Sequence, residues 1–348
     1  MLEYIDLLKT LIATPSPSRE EEKAAGVIRA YLHSRGIAFH TKGNNTWCIN
    51  AGFDPRKPVI LLNSHIDTVR PVRGWTYDPF AATAEGDKIT GLGSNDAGGS
   101  VVSLMALFLH FYLRDKLPYN LIYSATAEEE ISGDNGIASI LPELPPISFA
   151  LVGEPTGMEM AIAEKGLMVL DCIAQGKAGH AARDTGVNAL YKAIDDIQKL
   201  RNFRFEKTSA LLGPVKISVT QIQAGTQHNV VPDRCSFVAD VRTNEHYSNK
   251  EVFDIIRGII TSEISARSFR LNSSGISPDH PVAMKAVREG IRLSGSPTTS
   301  DQAVIPCPSV KMGPGNSNRS HTADEYIMVS EILEGIKTYI RLFEDLYL

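Results

Sequence analysis

Histidines and acidic residues stand directly after several apolar runs of this sequence. His65 and Asp67 follow PVILLN (58–63), the run Glu128–Glu130 follows NLIYSAT (120–126), and Glu154 follows SFALVG (148–153). A charge at the end of a buried strand costs free energy unless a cation compensates it. Because sites in open α/β sheets lie at the carboxyl ends of the strands, these side chains are candidate metal ligands.

Two further segments extend the set. Asp96 lies in the glycine-rich GLGSNDAGG (91–99), and His321 lies in a second glycine-rich loop, 313–325. Each piece alone has a simpler explanation: Asp96 could cap the helix that follows it, and the acidic run could be a solvated surface. Five such pieces in one chain favour a metal centre. Asp67, two residues beyond His65, could orient the His65 ring.

Other catalytic classes lack their motifs. The chain has no GxSxG, no GxxxxGK[ST], and an aspartate where a dinucleotide loop needs its third glycine. The four cysteines are widely spaced without a CxxC pair, which excludes a zinc ribbon and argues against a disulfide framework.

Composition limits the partners. The 348 residues are 43% hydrophobic and carry a net charge of −5, which suits two soluble domains and argues against a nucleic-acid surface. The longest apolar stretch, 101–113, is too short to cross a bilayer, and the first residues lack the basic segment of a signal peptide. We therefore expect a cytoplasmic protein without a membrane or nucleic-acid partner.

The elements that must position these residues alternate in the first third of the chain. An amphipathic helix is predicted over Glu20–Arg35, with Ser18 as N-cap, Glu20–Glu22 in the first turn and Gly36 after its end. Strands are predicted over 58–63, 120–126 and 148–153, a buried helix over Val101–Leu113 and a last helix over Val329–Leu346. This alternation predicts an α/β domain with a mostly parallel sheet.

The middle of the chain differs in pattern. It predicts the order β-α-β-β-α-β, typical of a ferredoxin-like unit. The predicted elements are strand 166–176, helix 188–200, strands 214–223 and 234–242, helix Lys250–Ser265 and a short strand near 268–272. We therefore expect a catalytic domain of residues 1–164 and 276–348, with an α+β domain inserted at 165–275.

Together these segments resemble the M20 family of metallopeptidases and amidohydrolases. The similarity covers essentially the whole chain and keeps the family's order. It rests on SHIDTV (64–69), GLGSNDAGG (91–99), TAEEEISG (126–133), VGEPTG (152–157) and SHTADEY (320–326), and in the insert on GKAGHAA (176–182), NVVPD (229–233) and ADVR (239–242).

The resemblance implies a zinc-peptidase-like catalytic domain with two zinc ions bridged by Asp96, although oxygen-rich ligands also suit Co²⁺ or Mn²⁺. One ion would also bind His65 and Glu154. The other would bind Glu130 and His321. Asp67 would support His65, and Glu129 would be the general base.

The acidic run departs from the family pattern at one position. The family usually has Asp-Glu-Glu where this chain has Glu128-Glu129-Glu130. The base and the ligand could therefore be assigned one position too early, to Glu128 and Glu129. The spacing from Thr126 favours Glu129 and Glu130 as the base and the ligand.

The resemblance also implies residues that contact the substrate. His180 would reach a substrate oxyanion, often in the neighbouring subunit of a homodimer formed by the insert. Arg242 and Asn229 would contact the substrate, Arg242 at its carboxylate. Ser300, Asp301, Asn316 and Ser317 lie in loops that would form the pocket. Asp301 could pair with a substrate ammonium or could instead cap a helix.

The expected function is hydrolysis of the amide bond of a small N-acyl amino acid. N-Acetylornithine or N-succinylornithine deacylation in arginine biosynthesis fits the resemblance best. Succinyl-diaminopimelate desuccinylase and a di- or tripeptidase or carboxypeptidase are the alternatives. A non-catalytic binding protein would have lost a ligand or the base, whereas all of these positions are present.

Overall fold

The computed structural model, which describes residues 2–114 and 116–348, contains a mixed sheet of nine strands. Four neighbouring strands of this sheet run parallel. In sheet order the strands are His40–Lys42, Asn45–Ile49, Asn120–Thr126, Val59–His65, Phe149–Val152, Ser309–Lys311, Met160–Glu164 and Ser274–Gly275, with Leu293–Ser296 paired to Met160–Glu164. Every residue of Val59–His65 and Asn120–Thr126 is buried, as expected for central parallel strands.

Helices cover this sheet and bury their apolar faces in a large core, except that Ile137–Ile140 packs in a separate, smaller one. They are Leu2–Ile12, Glu22–Ser34, Gly99–Phe111, Ile137–Ile140, Pro281–Arg288 and Val329–Phe343. Single helical turns occur at Ser94–Gly98, Leu141–Glu143, Asp301–Val304 and Ser317–Arg319, and a small sheet joins Tyr326–Met328, Lys88–Thr90 and Thr83–Glu85. Within the described residues, none of the helices has the length and apolar character needed to cross a membrane.

The glycine-rich segment 91–99 needs its glycines for close packing. Gly93 has a φ of +73°, and a Cβ at Gly98 would lie 2.4 Å from the Gly93 carbonyl oxygen. A side chain at either position would therefore move the backbone that carries Asp96.

The chain divides into two compact units. The first comprises the described residues up to Ile162 together with Gly275–Ser294 and Ser300–Leu348. The second comprises Ala163–Ser274 and Gly295–Thr299. The second unit has a four-stranded antiparallel sheet in the order Lys216–Ala224, Arg234–Thr243, Gly166–Gln175, Glu263–Ala266. The helices Ala189–Asn202 and Asn249–Ile259 pack against its buried face. Short pairs also occur at Gly179–His180 and Val230–Val231.

This arrangement confirms the ferredoxin-like order predicted for the middle of the chain. Burial alternates along Gly166–Gln175 and Arg234–Thr243 because one face of the sheet is covered by the helices. Asn188 begins the first helix by accepting a hydrogen bond from the Leu190 N–H at 2.9 Å. All four cysteines of the chain are free.

The predicted start of the first amphipathic helix was wrong. The helix spans Glu22–Ser34 and has no side-chain cap, and the Ser18 hydroxyl instead donates to Asp67 Oδ2 at 2.7 Å. Glu21 is fully buried rather than solvated in a first turn. Gly36 has a φ of +67°, which agrees with its predicted place after the helix.

The prediction of one helix over Lys250–Ser265 was also wrong. The helix ends at Ile259, and Glu263–Ala266 forms the strand that was expected near 268–272. The buried Asp196 carboxylate accepts the N–H groups of Thr261 and Ser262 at 2.8–3.1 Å. This contact comes from a residue 65 positions away, so local periodicity could not reveal it.

Candidate metal centre

Parallel strands bring the sequence-predicted ligands to one edge of the sheet in the first unit. His65 is the last residue of its strand and pairs with Thr126, after which the acidic run begins. Glu154 follows the next strand, which ends at Val152. Because all three strands run parallel, their carboxyl ends meet here.

One group of ligand atoms comes from His65, Asp96 and Glu154, which lie within 4.8 Å of one another. His65 Nε2 is 3.3 Å from Asp96 Oδ1 and 3.7 Å from Glu154 Oε1. His65 is 2% exposed, and the side chains of Asp96 and Glu154 are 13% and 12% exposed.

A second group comes from Asp96, Glu130 and His321, also within 4.8 Å of one another. His321 Nε2 lies 2.9 Å from Glu130 Oε2 and 3.6 Å from Asp96 Oδ2. The hydrogen bond with Glu130 raises the pKa of His321 to about 9, against the opposing effect of burial. Asp96 thus presents one oxygen to each group.

The unpaired oxygen of Glu154 shows that these residues fit cations. Among the described residues, Glu154 Oε1 is buried without a hydrogen-bond partner. Burial raises the pKa of Glu154 to about 8, and the Asp96 charge adds to this effect, whereas the charges of His65 and Lys311 oppose it. A buried carboxylate that faces other carboxylates is costly unless a cation is bound. Imidazole nitrogen and carboxylate oxygen are ligands that zinc takes at ~2.0–2.2 Å.

The Asp67 carboxylate holds the acidic run by accepting hydrogen bonds from the backbone of that run. Its Oδ1 accepts the Glu129 N–H at 3.0 Å, and its Oδ2 accepts the Glu130 N–H at 3.1 Å. His65 Nδ1 lies 2.9 Å from the Asp67 carbonyl oxygen and 3.5 Å from Oδ1. The main-chain oxygen of Asp67 is therefore the closer partner of the His65 ring.

The acidic run has distinct environments at its three positions. The Glu128 carboxylate accepts from the Asn135 side chain at 3.0 Å, whereas Glu130 faces His321. This separation supports Glu129 and Glu130, rather than Glu128 and Glu129, as the base and the ligand. Burial raises the pKa of Glu129 well above its ordinary value, as does the charge of Glu154.

Asp301 and Asn316 occupy structural positions in the first unit. Asp301 Oδ2 is buried and accepts from Asn63 Nδ2 at 2.7 Å and from Thr126 Oγ1 at 3.2 Å. It therefore offers no exposed carboxylate to a substrate ammonium, and Ser300 rather than Asp301 caps the following turn. Asn316 is exposed, and its side-chain oxygen accepts the Asn318 N–H at 2.9 Å.

The other predicted substrate contacts belong to the second unit. His180 and Asn229 lie on facing segments, where the Asn229 carbonyl accepts the Ala181 N–H at 2.9 Å. Both side chains are exposed. Arg242 donates to both carboxylate oxygens of Asp240, at 2.8 and 3.0 Å.

The sequence reasoning missed the residues that hold the ligand loops. Glu325 accepts backbone N–H groups next to Asp96, and Asn95 bonds both the N–H and the carbonyl of Asn316. Glu21 accepts the Glu128 N–H at 3.3 Å. Glu325 lies within the SHTADEY motif, which was a usable signal, whereas nothing local distinguished Glu21.

Two groups of candidate nitrogen and oxygen ligands share the Asp96 carboxylate, an arrangement typical of dinuclear metal hydrolases. The family model of Peptidase family M20/M25/M40 matches residues 61–345, and the chain belongs to this family. It is therefore a metal-dependent enzyme of the amidohydrolase type.

Two relatives align with 93–100% of the chain. It is 26% identical to a succinyl-diaminopimelate desuccinylase of Dinoroseobacter shibae, with 100% of both chains covered. It is 27% identical to an acetylornithine deacetylase of Klebsiella pneumoniae, covering 93% of this chain and 92% of the relative. The crystal structure of an M20 family metallo-carboxypeptidase from Sulfolobus solfataricus has the same fold, with a TM-score of 0.78, 17% identity and 99% of each chain covered.

Proposed function

We propose that the enzyme removes the acyl group from a small N-acyl amino acid, with N-acetylornithine or N-succinylornithine as substrate, in arginine biosynthesis. The observation that carries the reaction class is the pair of ligand groups that share Asp96. In this proposal His65, Asp96 and Glu154 hold one metal, and Asp96, Glu130 and His321 hold the other.

Glu129 moves the proton in this proposal. Its carboxylate takes a proton from the attacking water and delivers it to the leaving nitrogen, so that a carboxylate and an amine are released. A raised pKa suits a group that must hold that proton between the two transfers. Asp67 fixes the backbone N–H of Glu129 and thereby its position.

Two Zn²⁺ ions are the proposed cofactors, with Co²⁺ or Mn²⁺ as substitutes that the same ligands accept. When bound, such paired ions polarise the amide carbonyl and lower the pKa of a bound water. We further propose a cytoplasmic location, which suits the free cysteines.

Arg242, Asn229 and His180 are the proposed substrate contacts. Arg242 would bind the α-carboxylate through its planar fork, and the substrate would then compete with Asp240 for it. The name of the acetylornithine deacetylase relative supports ornithine, whereas the ammonium contact expected at Asp301 has lost its support. The desuccinylase relative makes N-succinyl-diaminopimelate the second candidate.

A comparison of kcat/KM values tests the substrate. The panel contains N-acetylornithine, N-succinylornithine, N-succinyl-diaminopimelate and short peptides, with N-acetylnorvaline as the uncharged match of acetylornithine. A site built to pair a charge rejects a substrate that lacks it by more than the ~10–200-fold available to one methylene. Equal efficiency for N-acetylnorvaline would remove the ornithine assignment, and preference for the diaminopimelate substrate would establish the second candidate.

Glu129→Gln tests the proton transfer. We expect turnover to fall ~10²–10⁴-fold while metal content stays at the wild-type value. Glu130→Gln is the matched variant and should lose metal. The opposite pattern would show that the base and the ligand are misassigned by one residue.

We also propose a homodimer in which the second unit supplies His180 to the partner's site. The strand Lys216–Ala224 lies at an edge of its sheet, and its last residues, including Ile222 at 46% exposure, are open to pairing with a second copy. Mixing His180→Ala chains with Glu129→Gln chains should restore activity in heterodimers. Inactive heterodimers would show that His180 does not act in the partner's site.

A further inference from the structure

The Glu325 carboxylate is buried against the loop that carries Asp96. Oε1 accepts the N–H groups of Asn95 and Asp96, both at 2.9 Å, and Oε2 accepts the Gly93 N–H at 3.2 Å. The Glu325 carbonyl oxygen also accepts the Gly91 N–H at 2.9 Å. One residue therefore holds four backbone N–H groups of a segment of six residues.

These contacts restrict what Glu325 can do. Both of its carboxylate oxygens are directed to the backbone, and the side chain belongs to neither group of ligand atoms. Glu325 is only 2% exposed, and hydrogen bonds from backbone N–H groups to a carboxylate are stronger than those to a neutral acceptor. Such an arrangement suits the fixing of a loop rather than direct chemistry.

Asp96 is the residue whose position matters most on this loop. It must present Oδ1 to His65 and Oδ2 to His321, so a shift of its backbone would disturb both ligand groups at once. Asn95, next to it, bonds the N–H of Asn316 at 2.9 Å and the Ser320 hydroxyl at 3.3 Å. The segment that Glu325 holds is thus joined to the loop of His321.

We propose that Glu325 is a positioning residue that fixes Asp96 as the ligand shared by two metal ions. The inference rests on the proposed dinuclear centre and deepens it. Removal of a group that orients a metal ligand typically weakens metal affinity by ~10–100-fold. Because Asp96 belongs to both groups, both metal sites should weaken together.

The test compares Glu325→Gln with Asp324→Asn. Gln has the shape of Glu but keeps one acceptor oxygen and turns an NH₂ toward a backbone N–H. Asp324 is the matched control, because its carboxylate also accepts backbone N–H groups, from Thr76 at 2.8 Å and Tyr77 at 3.3 Å. These residues lie outside the loop that carries Asp96. Zn²⁺ affinity is measured by chelator competition, and the Co²⁺ form is compared by its visible absorption spectrum.

We expect Glu325→Gln to bind both Zn²⁺ equivalents ~10–100-fold more weakly and to change the Co²⁺ spectrum. Asp324→Asn should match the wild type, and Glu154→Gln should weaken one site much more than the other. Wild-type affinity and spectrum in a folded Glu325→Gln variant would overturn the inference, as would weakening of one site only.

Glu325→Asp keeps the test decisive if the Gln variant does not fold. It keeps the charge but shortens the side chain by one methylene, so an intermediate loss of affinity at both sites is expected, and unchanged affinity would overturn the inference. The proposed function fails separately, since it requires the wild type to bind two ions, whereas this inference fails when Glu325 variants retain wild-type binding or weaken one site only.

Discussion

Each unit of the protein buries a carboxylate, and the two carboxylates have opposite surroundings. In the second unit, Asp196 accepts from the backbone and hydroxyl groups of Thr261 and Ser262 and from Lys199 at 2.9 Å. Although burial alone would raise it, these partners hold the pKa of Asp196 at about 2. In the first unit, Glu154 has an unpaired oxygen and a pKa of about 8.

This difference separates a structural carboxylate from a functional one. Burial is common to both, so burial does not mark the site. The shortage of hydrogen-bond donors does, because the charges of His65 and Lys311 do not outweigh the effect of burial on Glu154 and a bound cation would offset it further.

Removal of metal should have the largest effect. Treatment with a chelator should lower kcat/KM ~10³-fold or more, because a bound metal supplies several kcal/mol of transition-state stabilisation. Added Zn²⁺, Co²⁺ or Mn²⁺ should restore activity. An assay over a range of chelator concentrations checks this, and full activity in metal-free protein would show that the Glu154 environment has another cause.

Asp196→Ala should cost about 3 kcal/mol of unfolding free energy, because it leaves buried N–H groups without an acceptor. Zn²⁺ affinity should not change. Urea unfolding measures the loss, and Asp195→Ala, an exposed neighbour on the same helix, is the control. A loss below ~1 kcal/mol would contradict the structural role of Asp196.

The pH dependence of this effect has a definite sign. The pKa of Asp196 is about 2 in the folded protein, below its ordinary value of 3.8. Its contribution to stability is therefore complete above pH ~4 and is lost as the pH falls toward 2. The stability difference between wild type and Asp196→Ala should narrow over this interval, and a constant difference would contradict the assignment.

Glu154→Gln should behave in the opposite way in metal-free protein. The pKa of Glu154 is raised from 4.5 to about 8, so its ionisation destabilises the fold as the pH rises through this range. One pKa unit corresponds to about 1.4 kcal/mol, so the variant should be at least ~1.4 kcal/mol more stable than wild type at pH 8. Urea unfolding after chelation checks this. Lower stability of the variant would show that Glu154 has partners in the apoprotein.

The exposed pair of Arg267 and Asp171 should contribute least. Its two hydrogen bonds, at 2.8 and 2.9 Å, join groups whose side chains are 57% and 42% exposed. Solvent screens such pairs, so Arg267→Ala should change the unfolding free energy by less than ~1 kcal/mol. A loss as large as that from Asp196→Ala would mean that burial does not govern these ion pairs.

Local patterns predicted the central strands well, and they selected candidate ligands that the structure brings close together. Continuous apolar runs predicted strands over 58–63 and 120–126, which the structure has at Val59–His65 and Asn120–Thr126. Polar residues that follow parallel strands meet at the carboxyl edge of the sheet. The order of elements also predicted the ferredoxin-like unit. These features depend on residues close together in the chain, which periodicity and composition can detect.

Long-range contacts were beyond such patterns. Glu325 bonds the Asp96 N–H across 229 positions, and Glu21 bonds the Glu128 N–H across 107. Asp301, predicted to lie in a loop that forms the pocket, accepts a hydrogen bond from Asn63 across 238 positions. In each case the folded structure determines the hydrogen-bond partner. The sequence around a single acidic residue does not indicate which distant residue that partner is.

The zinc content of the saturated and desalted protein tests whether two metal ions share Asp96. We expect two Zn²⁺ per wild-type chain by elemental analysis, and loss of both from Asp96→Ala, because Asp96 presents an oxygen to each group of candidate ligands. One ion or none in the wild type, or two ions retained by Asp96→Ala, would contradict a centre built around a shared Asp96.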